Sequence, residues 1–158
     1  MALERADFAK ERGAHLLATV TGFGTAFLPP RSEATLIHAS TEAMERAVAH
    51  AIADAGITTK DVDVVASGIS GLRTFDDAEL AALVRTLGPE VCVAAPKHYL
   101  GETLGAGGAM GMAAAIAWLA GAAPGAIVVG RAPKDVRTVL VTSMGYYGNA
   151  TAVVMRAG

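Results

Sequence analysis

The residues of this chain that could do chemistry gather around one run, Pro96-Lys97-His98-Tyr99-Leu100-Gly101-Glu102-Thr103-Leu104-Gly105-Ala106-Gly107-Gly108-Ala109-Met110-Gly111, which leaves an apolar strand and enters a helix of small residues. Lys97 stands at the strand end, and a lysine desolvated there lowers its pKa, the condition for catalytic work by an amine. The lone cysteine, Cys92, lies inside the apolar run Val91-Cys92-Val93-Ala94-Ala95. A reactive thiolate needs an exposed, electropositively supported place such as a strand-to-helix turn, so Cys92 reads as a small core residue. His15, His38, His50 and His98 have no metal-ligand spacing. The glycine-rich helix start invites a nucleotide-loop reading, but Gly105-x-Gly107 has Met110 where a third glycine is needed, and no Gly-Lys-Ser/Thr follows. Small-residue packing against a partner helix is the better account.

The elements that must position this run can be read from periodicity. Residues 1–14 predict a short helix with Leu3, Ala6 and Ala9 on one face, ended by Gly13. His15 to Phe27 is apolar, β-branched and bounded by turn residues, a long strand. Pro29-Pro30-Arg31-Ser32-Glu33 is a surface connection. A helix follows from about Thr41 to Ala55, capped by Ser40 or Thr41, with Met44, Val48, Ala51, Ile52 and Ala55 as its stripe and Gly56 as its stop. Val64-Val65-Ala66 is a short strand. Asp76-x-x-Glu79 has capping-box spacing for a helix starting at Asp76 or Asp77, with Leu80, Leu83, Val84 and Leu87 as its apolar face. Val91 to Ala95 has the unbroken apolar character of a strand covered on both faces. The Gly/Ala helix runs from about Leu104 to Ala120, and strands at Val136–Ser143 and Thr151–Met155 flank the turn Gly145-Tyr146-Tyr147-Gly148-Asn149. The order βαβαβαββ predicts a five-stranded mixed α/β sheet, parallel through its helix-linked strands, with helices on both faces and the Gly105–Ala120 helix central and buried.

At 158 residues the chain predicts a single domain, residues 1–158. Hydrophobic residues make up 53% and aromatics only 5%, so the core must be Ala, Val, Leu and Gly, which favours close helix-on-sheet packing. A net charge of −2 gives no electrostatic case for nucleic acid or an anionic membrane. One cysteine excludes an internal disulfide and a multi-cysteine zinc site, and a reducing cytoplasm is the expected compartment. No charge falls between Thr103 and Gly130, which meets the length test for a membrane span. Its Ala/Gly content, Pro124 and missing basic and aromatic flanks point to a buried helix followed by a strand-like run.

Several short motifs in order resemble the C-terminal half of the β-ketoacyl synthases, a thiolase-like fold. They are Leu3-Glu4, Ala9, Arg12-Gly13-Ala14, Gly22-Phe23-Gly24, the passage from Gly56-Ile57 to Asp61-Val62-Asp63, and the Pro96–Gly111 run, which resembles a Lys followed by Gly-His-x-x-Gly-Ala-x-Gly. The resemblance covers Leu3 to Val154 and would place Met1 just after the last strand of the family's N-terminal half. The connection from Gly121 to Val136 is shorter than the family's. The nearest character is that of chain-length-factor subunits, which keep Pro-Lys followed by Gly without the His.

The resemblance implies a site and its losses. The family's nucleophilic Cys belongs to the half this sequence does not contain. The first catalytic His, from a His-Gly-Thr-x-Thr motif, falls on Ser67 in Ser67-Gly68-Ile69-Ser70-Gly71, with one residue inserted before Asp76, Asp77 and Glu79. A hydroxyl donates a hydrogen bond but is no proton donor near neutrality. The second His falls on Glu102, whose carboxylate repels a developing enolate unless protonated. Lys97 with Glu79 and Asp76 would form the buried charge network beneath the site, and Tyr146 falls where the family has a Phe gating the acyl pocket. No cofactor and no metal is implied.

The resemblance thus implies a ketosynthase-like subunit of fatty-acid or polyketide biosynthesis, non-catalytic or a half-body partner of a condensing enzyme. Two alternatives stand beside it: part of a split 3-oxoacyl-ACP synthase whose composite site forms with an N-terminal-half chain, and a free-standing acyl-binding or interaction module. Expected partners are an N-terminal-half ketosynthase-like chain or a second copy in a homodimer, and acyl carrier protein; nucleic acid and membrane are not expected. The face for association would carry Gly105, Gly108, Ala109, Met112, Ala113 and Ala117.

Overall fold

The computed structural model describes residues 2–32, 34–35 and 37–158; the expectations touching Met1 and Glu33 lie outside the described residues. The elements are α1 (Ala6–Glu11), β1 (Ala18–Phe27), α2 (Thr41–Asp54), β2 (Val64–Ala66), α3 (Arg73–Leu87), β3 (Val93–Ala94), α4 (Lys97–Leu100), α5 (Gly107–Leu119), β4 (Ile127–Val129), β5 (Thr138–Met144) and β6 (Asn149–Ala157). The strands form one mixed sheet in the order β1-β6-β5-β2-β3-β4. Its centre, β5-β2-β3, is parallel, while β6 runs antiparallel to both β1 and β5, and β4 antiparallel to β3.

Strand alternation splits the core in two. On one face Val65, Val93, Leu140, Ala150, Ala152 and Val154 pack beneath α2 and α3. On the other Val64, Ala66, Ala94, Val139, Val141 and Met155 pack beneath α5 through Ala115 and Trp118. Helices therefore cover both faces, as the apolar run in β3 requires.

Helix α2 starts because the Ser40 hydroxyl accepts a hydrogen bond from the Ala43 N–H at 3.1 Å, and it passes into Gly56 at φ 63°. Its row Ala43, Met44, Ala47, Val48, Ala51 and Ile52 is buried. The helix lies so near β1 that a Cβ on Gly24 would overlap the Ala47 carbonyl oxygen, and one on Gly22 the Ala51 carbonyl oxygen. β1 carries a register shift between Val20 and Gly22, and the Phe23 N–H that follows donates to the Asp54 carboxylate at 2.9 Å. Asp63 joins β2 to β5, accepting the N–H groups of Arg137 and Thr138 at 2.8 Å each.

Three expectations are corrected. Among the described residues the sheet has six strands, not five: Ile127–Val129 pairs with β3. Four residues, Ala126 to Val129, between Pro124-Gly125 and Gly130 give too short an apolar run for pattern alone to separate a strand from a connection. The N-terminal helix is confined to Ala6–Glu11, and of its expected apolar face only Ala9 is buried, Leu3 being 69% exposed. The small-residue helix begins at Gly107 after a 3-10 turn at Leu104–Ala106, and it is buried on one side only. Gly111, Ala115 and Trp118 face the sheet, while Ala109, Ala113 and Ala117 are exposed because nothing among the described residues packs over them.

Beside α5 the sheet is bare. With Gly22 and Gly24 turned to α2, the alternate residues Phe23 and Phe27 face the other way and remain 52% and 58% exposed. They pair across the ladder with Val153 and Asn149.

The Gly24 contact gives a direct test. Gly24→Val should lower stability by about 1–3 kcal/mol or more, since backbone of α2 must move to make room, and Ser40→Ala by about 1 kcal/mol through the lost cap. Urea-unfolding midpoints read both; a Gly24→Val midpoint equal to wild type would rule out the close helix-on-strand seat.

Candidate functional site

A pocket of about 280 Å³ lies outside the carboxyl ends of β2, β3 and β5, closed by the start of α3, the 97–105 segment and the β5–β6 turn. This is where an open α/β sheet places its crevice. Gly68, Phe75, Glu79, Lys97, Glu102, Ser143, Tyr146 and Asn149 are among its walls.

Glu79 forms the floor. It is 2% exposed, and its Oε1 accepts from the Gly68 N–H at 2.9 Å and the Thr142 hydroxyl at 2.5 Å. Burial pushes this carboxyl above its ordinary value, against the downward pull of Thr142, Gly68 and the Lys97 charge, with Asp76 adding to the rise. The expected capping box is not formed. α3 begins three residues earlier, at Arg73, and both acidic side chains turn back to the loop preceding the helix. Asp76 accepts the Ser70 and Gly71 N–H groups at 3.0 and 2.8 Å, as Glu79 accepts that of Gly68. These carboxylates hold the 68–71 loop open against the pocket.

Lys97 does not make the expected direct pair with Glu79. Its Nζ donates to Glu102 Oε2 at 2.9 Å, with the lysine side chain 17% exposed and the glutamate 35%. The chain reverses at Gly101, φ 79°, a conformation glycine adopts without strain, and this returns Glu102 to the lysine five residues before it. Glu102 Oε1 also accepts the Leu104 N–H at 2.7 Å. The hydrogen bond from Lys97 is the main cause of a Glu102 carboxyl held below its ordinary value, with Leu104 and Ser70 adding to it.

Ser67 stands apart from these residues. It is 4% exposed, its hydroxyl donates to the Ala94 carbonyl at 2.8 Å between β2 and β3, and it is not among the pocket walls. The structure thus gathers Glu79, Lys97, Glu102 and Tyr146 into one cavity and leaves Ser67 and Asp76 out of its lining. Tyr146 is 48% exposed at the rim, packed edge-on against Phe75 with ring centroids 5.3 Å apart. The turn that carries it is clamped by the connection after β1, the Leu28 N–H donating to the Gly148 carbonyl and the His38 N–H to that of Tyr146. Cys92 is 4% exposed on the α5 side of the core, and burial raises its thiol pKa, so it carries little thiolate near neutrality. Among the described residues no group of three His, Cys, Asp or Glu is placed to hold a metal ion.

Two polar groups escaped sequence reasoning. Thr142 reaches Glu79 from β5, a pairing of residues 63 apart that only the strand register reveals. The Thr103 hydroxyl is buried without a partner among the described residues, in the turn after Glu102, and no local pattern marks it.

The Glu79 shift carries a sign. Its folded value lies above the ordinary 4.5, so the native state holds the proton more tightly than the unfolded chain does. That contribution is complete below the unfolded value and lost as pH rises through the folded one. Glu79→Gln keeps an acceptor for Gly68 and Thr142 and cannot ionise. It should match wild type in acid and become progressively the more stable of the two toward neutrality, in urea titrations at a series of pH values. Parallel curves would refute the assignment.

Comparison with known proteins places this arrangement. The beta-ketoacyl synthase C-terminal domain family matches residues 17–124. A Streptomyces halstedii protein named polyketide beta-ketoacyl synthase 2 is 36% identical over 99% of this chain and 41% of its own length. The tetracenomycin polyketide synthase ketoacyl synthase beta subunit of Streptomyces glaucescens is 32% identical over 97% of this chain and 40% of its own. The solved ishigamide ketosynthase/chain length factor superposes with a TM-score of 0.85 at 24% identity, covering 98% of this chain and 41% of that one. The chain thus spans about 40% of the length of the curated relatives it matches. With the family model matching residues 17–124 and the topology that of thiolase-like ketosynthases, the chain belongs to the β-ketoacyl synthase family, as its C-terminal domain.

Proposed function

We propose that this chain is a ketosynthase-like, chain-length-factor-like half-body of polyketide assembly, without condensing activity of its own, completed by a chain that supplies the N-terminal half. The observation that carries this reading is that both positions matching the family's imidazoles have polar groups engaged by other groups of this chain. Ser67 is committed to the Ala94 carbonyl and Glu102 to Lys97. Neither can donate a proton to an enolate near neutrality. The buried Cys92 offers no nucleophile in exchange.

The shape of the bare face supports the half-body reading. Phe23 and Phe27 on β1, with Ala109, Ala113 and Ala117 on α5, leave an uncharged surface of the kind monomers rarely expose. The relatives are about two and a half times as long, so they have chain available to cover such a face. A polyketide role rests on their names, with fatty-acid assembly as the related alternative. Acyl carrier protein is the proposed docking partner in either, and the cytoplasm the proposed compartment; no helix among the described residues is long and apolar enough to cross a membrane. A second reading, a composite active site in a split synthase, draws on Lys97 and Glu79 lining one pocket. Acyl loading of a cysteine on the partner chain would separate it from the first.

The activity test is carbon dioxide release from a malonyl thioester on acyl carrier protein. The purified chain should give background only, and turnover would overturn the proposal. In the absence of a partner the bare face should pair with a second copy, an isologous contact needing one self-complementary patch. Sedimentation equilibrium at micromolar concentration should give a dimer, and Ala113→Glu, at an exposed α5 position, should convert it to monomer. A monomeric wild type would remove the argument from this face.

A further inference from the structure

The pocket holds a cation that is already answered. Lys97 is the one Lys or Arg among the described residues lining it. Its Nζ is 2.9 Å from Glu102 Oε2, while the other acidic wall residue, Glu79, has its hydrogen bonds from Gly68 and Thr142 instead. Glu102 is a neighbour in sequence, brought back by the Gly101 turn, and it is fixed from its other oxygen by the Leu104 N–H. That hold is placed on a strained residue: Leu104 has φ 48°, left-handed for a residue with a Cβ, and its side chain is 68% exposed at the pocket wall. The turn also leaves the Thr103 hydroxyl buried and unpartnered. Leu104 in a rare backbone region and an unsatisfied hydroxyl beside it both oppose this turn, whereas the Glu102 carboxylate, through its bonds to Lys97 and Leu104, holds it in place.

We infer that Glu102 is the specificity-determining residue of this pocket: it is a resident counter-ion that occupies the carboxylate position on Lys97, so the cavity turns away small carboxylates and admits uncharged, hydrogen-bond-accepting ligands. The inference rests on the pocket being the ligand site of the proposed function. The physical basis is competition. A carboxylate tethered five residues away acts on Lys97 at an effective concentration of roughly millimolar or higher, so a free carboxylate at lower concentration does not displace it. An incoming carboxylate also meets the charge of Glu102 itself across a short, partly desolvated gap. An uncharged carbonyl group pays neither cost and finds donors on the walls in the Ser143 hydroxyl, the Tyr146 hydroxyl and the Asn149 amide.

Glu102→Gln is the informative change, because glutamine keeps an oxygen for the Leu104 N–H while removing the charge from Lys97. Sodium malonate and its uncharged analogue malonamide would be titrated at constant ionic strength into the full 158-residue chain, following the backbone amide signals of Leu104 and Gly107 by NMR. Wild type should show no saturable response to malonate up to about 10 mM, whereas Glu102→Gln should saturate with an affinity at least about tenfold higher. The gain should weaken with added salt and vanish in Lys97→Met/Glu102→Gln, and malonamide should respond alike in wild type and Glu102→Gln. Thermal unfolding of each variant confirms that it is folded before titration. Equal malonate affinity in wild type and Glu102→Gln would overturn the inference. So would a gain that survives loss of Lys97. Decarboxylation by the purified wild-type chain would instead overturn the proposed function and leave the malonate comparison readable on its own.

Discussion

One buried carboxyl group joins parts of this fold that the chain otherwise keeps far apart. Glu79, from the first turns of α3, takes the Gly68 N–H at the exit of β2 and the Thr142 hydroxyl on β5, residues 11 and 63 positions away. Those bonds set the loop after β2 against the end of β5, and the pocket is the space left between them. A buried polar group with its partners satisfied is a precise fastener, and one with a partner removed is a liability of about 1–3 kcal/mol. The loop, α3 and β5 are therefore not independently variable near the site. Whatever the pocket accommodates must fit a floor that was fixed by folding.

The same logic extends outward to the other polar side chains. Asp76 is engaged with the 68–71 loop, Ser67 with β3, and Lys97 with Glu102. Each of these polar groups is engaged with the protein itself. Fold alone does not carry the chemistry.

Much of the scaffold was legible beforehand, because its signals are local and strong. Ser40 before the apolar row of α2 and the uninterrupted apolar run around β3 are signals of that kind, and the Ala/Gly content of the uncharged stretch marked α5 as a helix, though not which of its sides is covered. β4 was legible only as a strand-like run and stayed out of the five-strand count, because three residues carry too little periodicity. The site was partly legible: Lys97, Glu79, Glu102 and Tyr146 do converge, but the wiring among them was not to be read from spacing. Capping-box spacing at Asp76 and Glu79 pointed to a helix start, yet the helix extends back to Arg73 and both carboxylates serve the loop instead. The Lys97 partner was decided by the backbone reversal at Gly101, a feature of φ rather than of side-chain pattern.

The margin of the sheet has its own consequence. β1 is ten residues long and forms one border, and a long regular border offers unmatched N–H and C=O groups to any extended chain that drifts past. Here the register shift after Val20 bends the strand, and Asp54 reaches over from α2 to occupy the Phe23 N–H. A carboxylate on that donor denies it to a foreign strand and places a negative charge along the line of approach. The sheet is thereby guarded against growth by edge-to-edge addition, so the aromatic face it displays can stay open without turning the chain into a template for fibres.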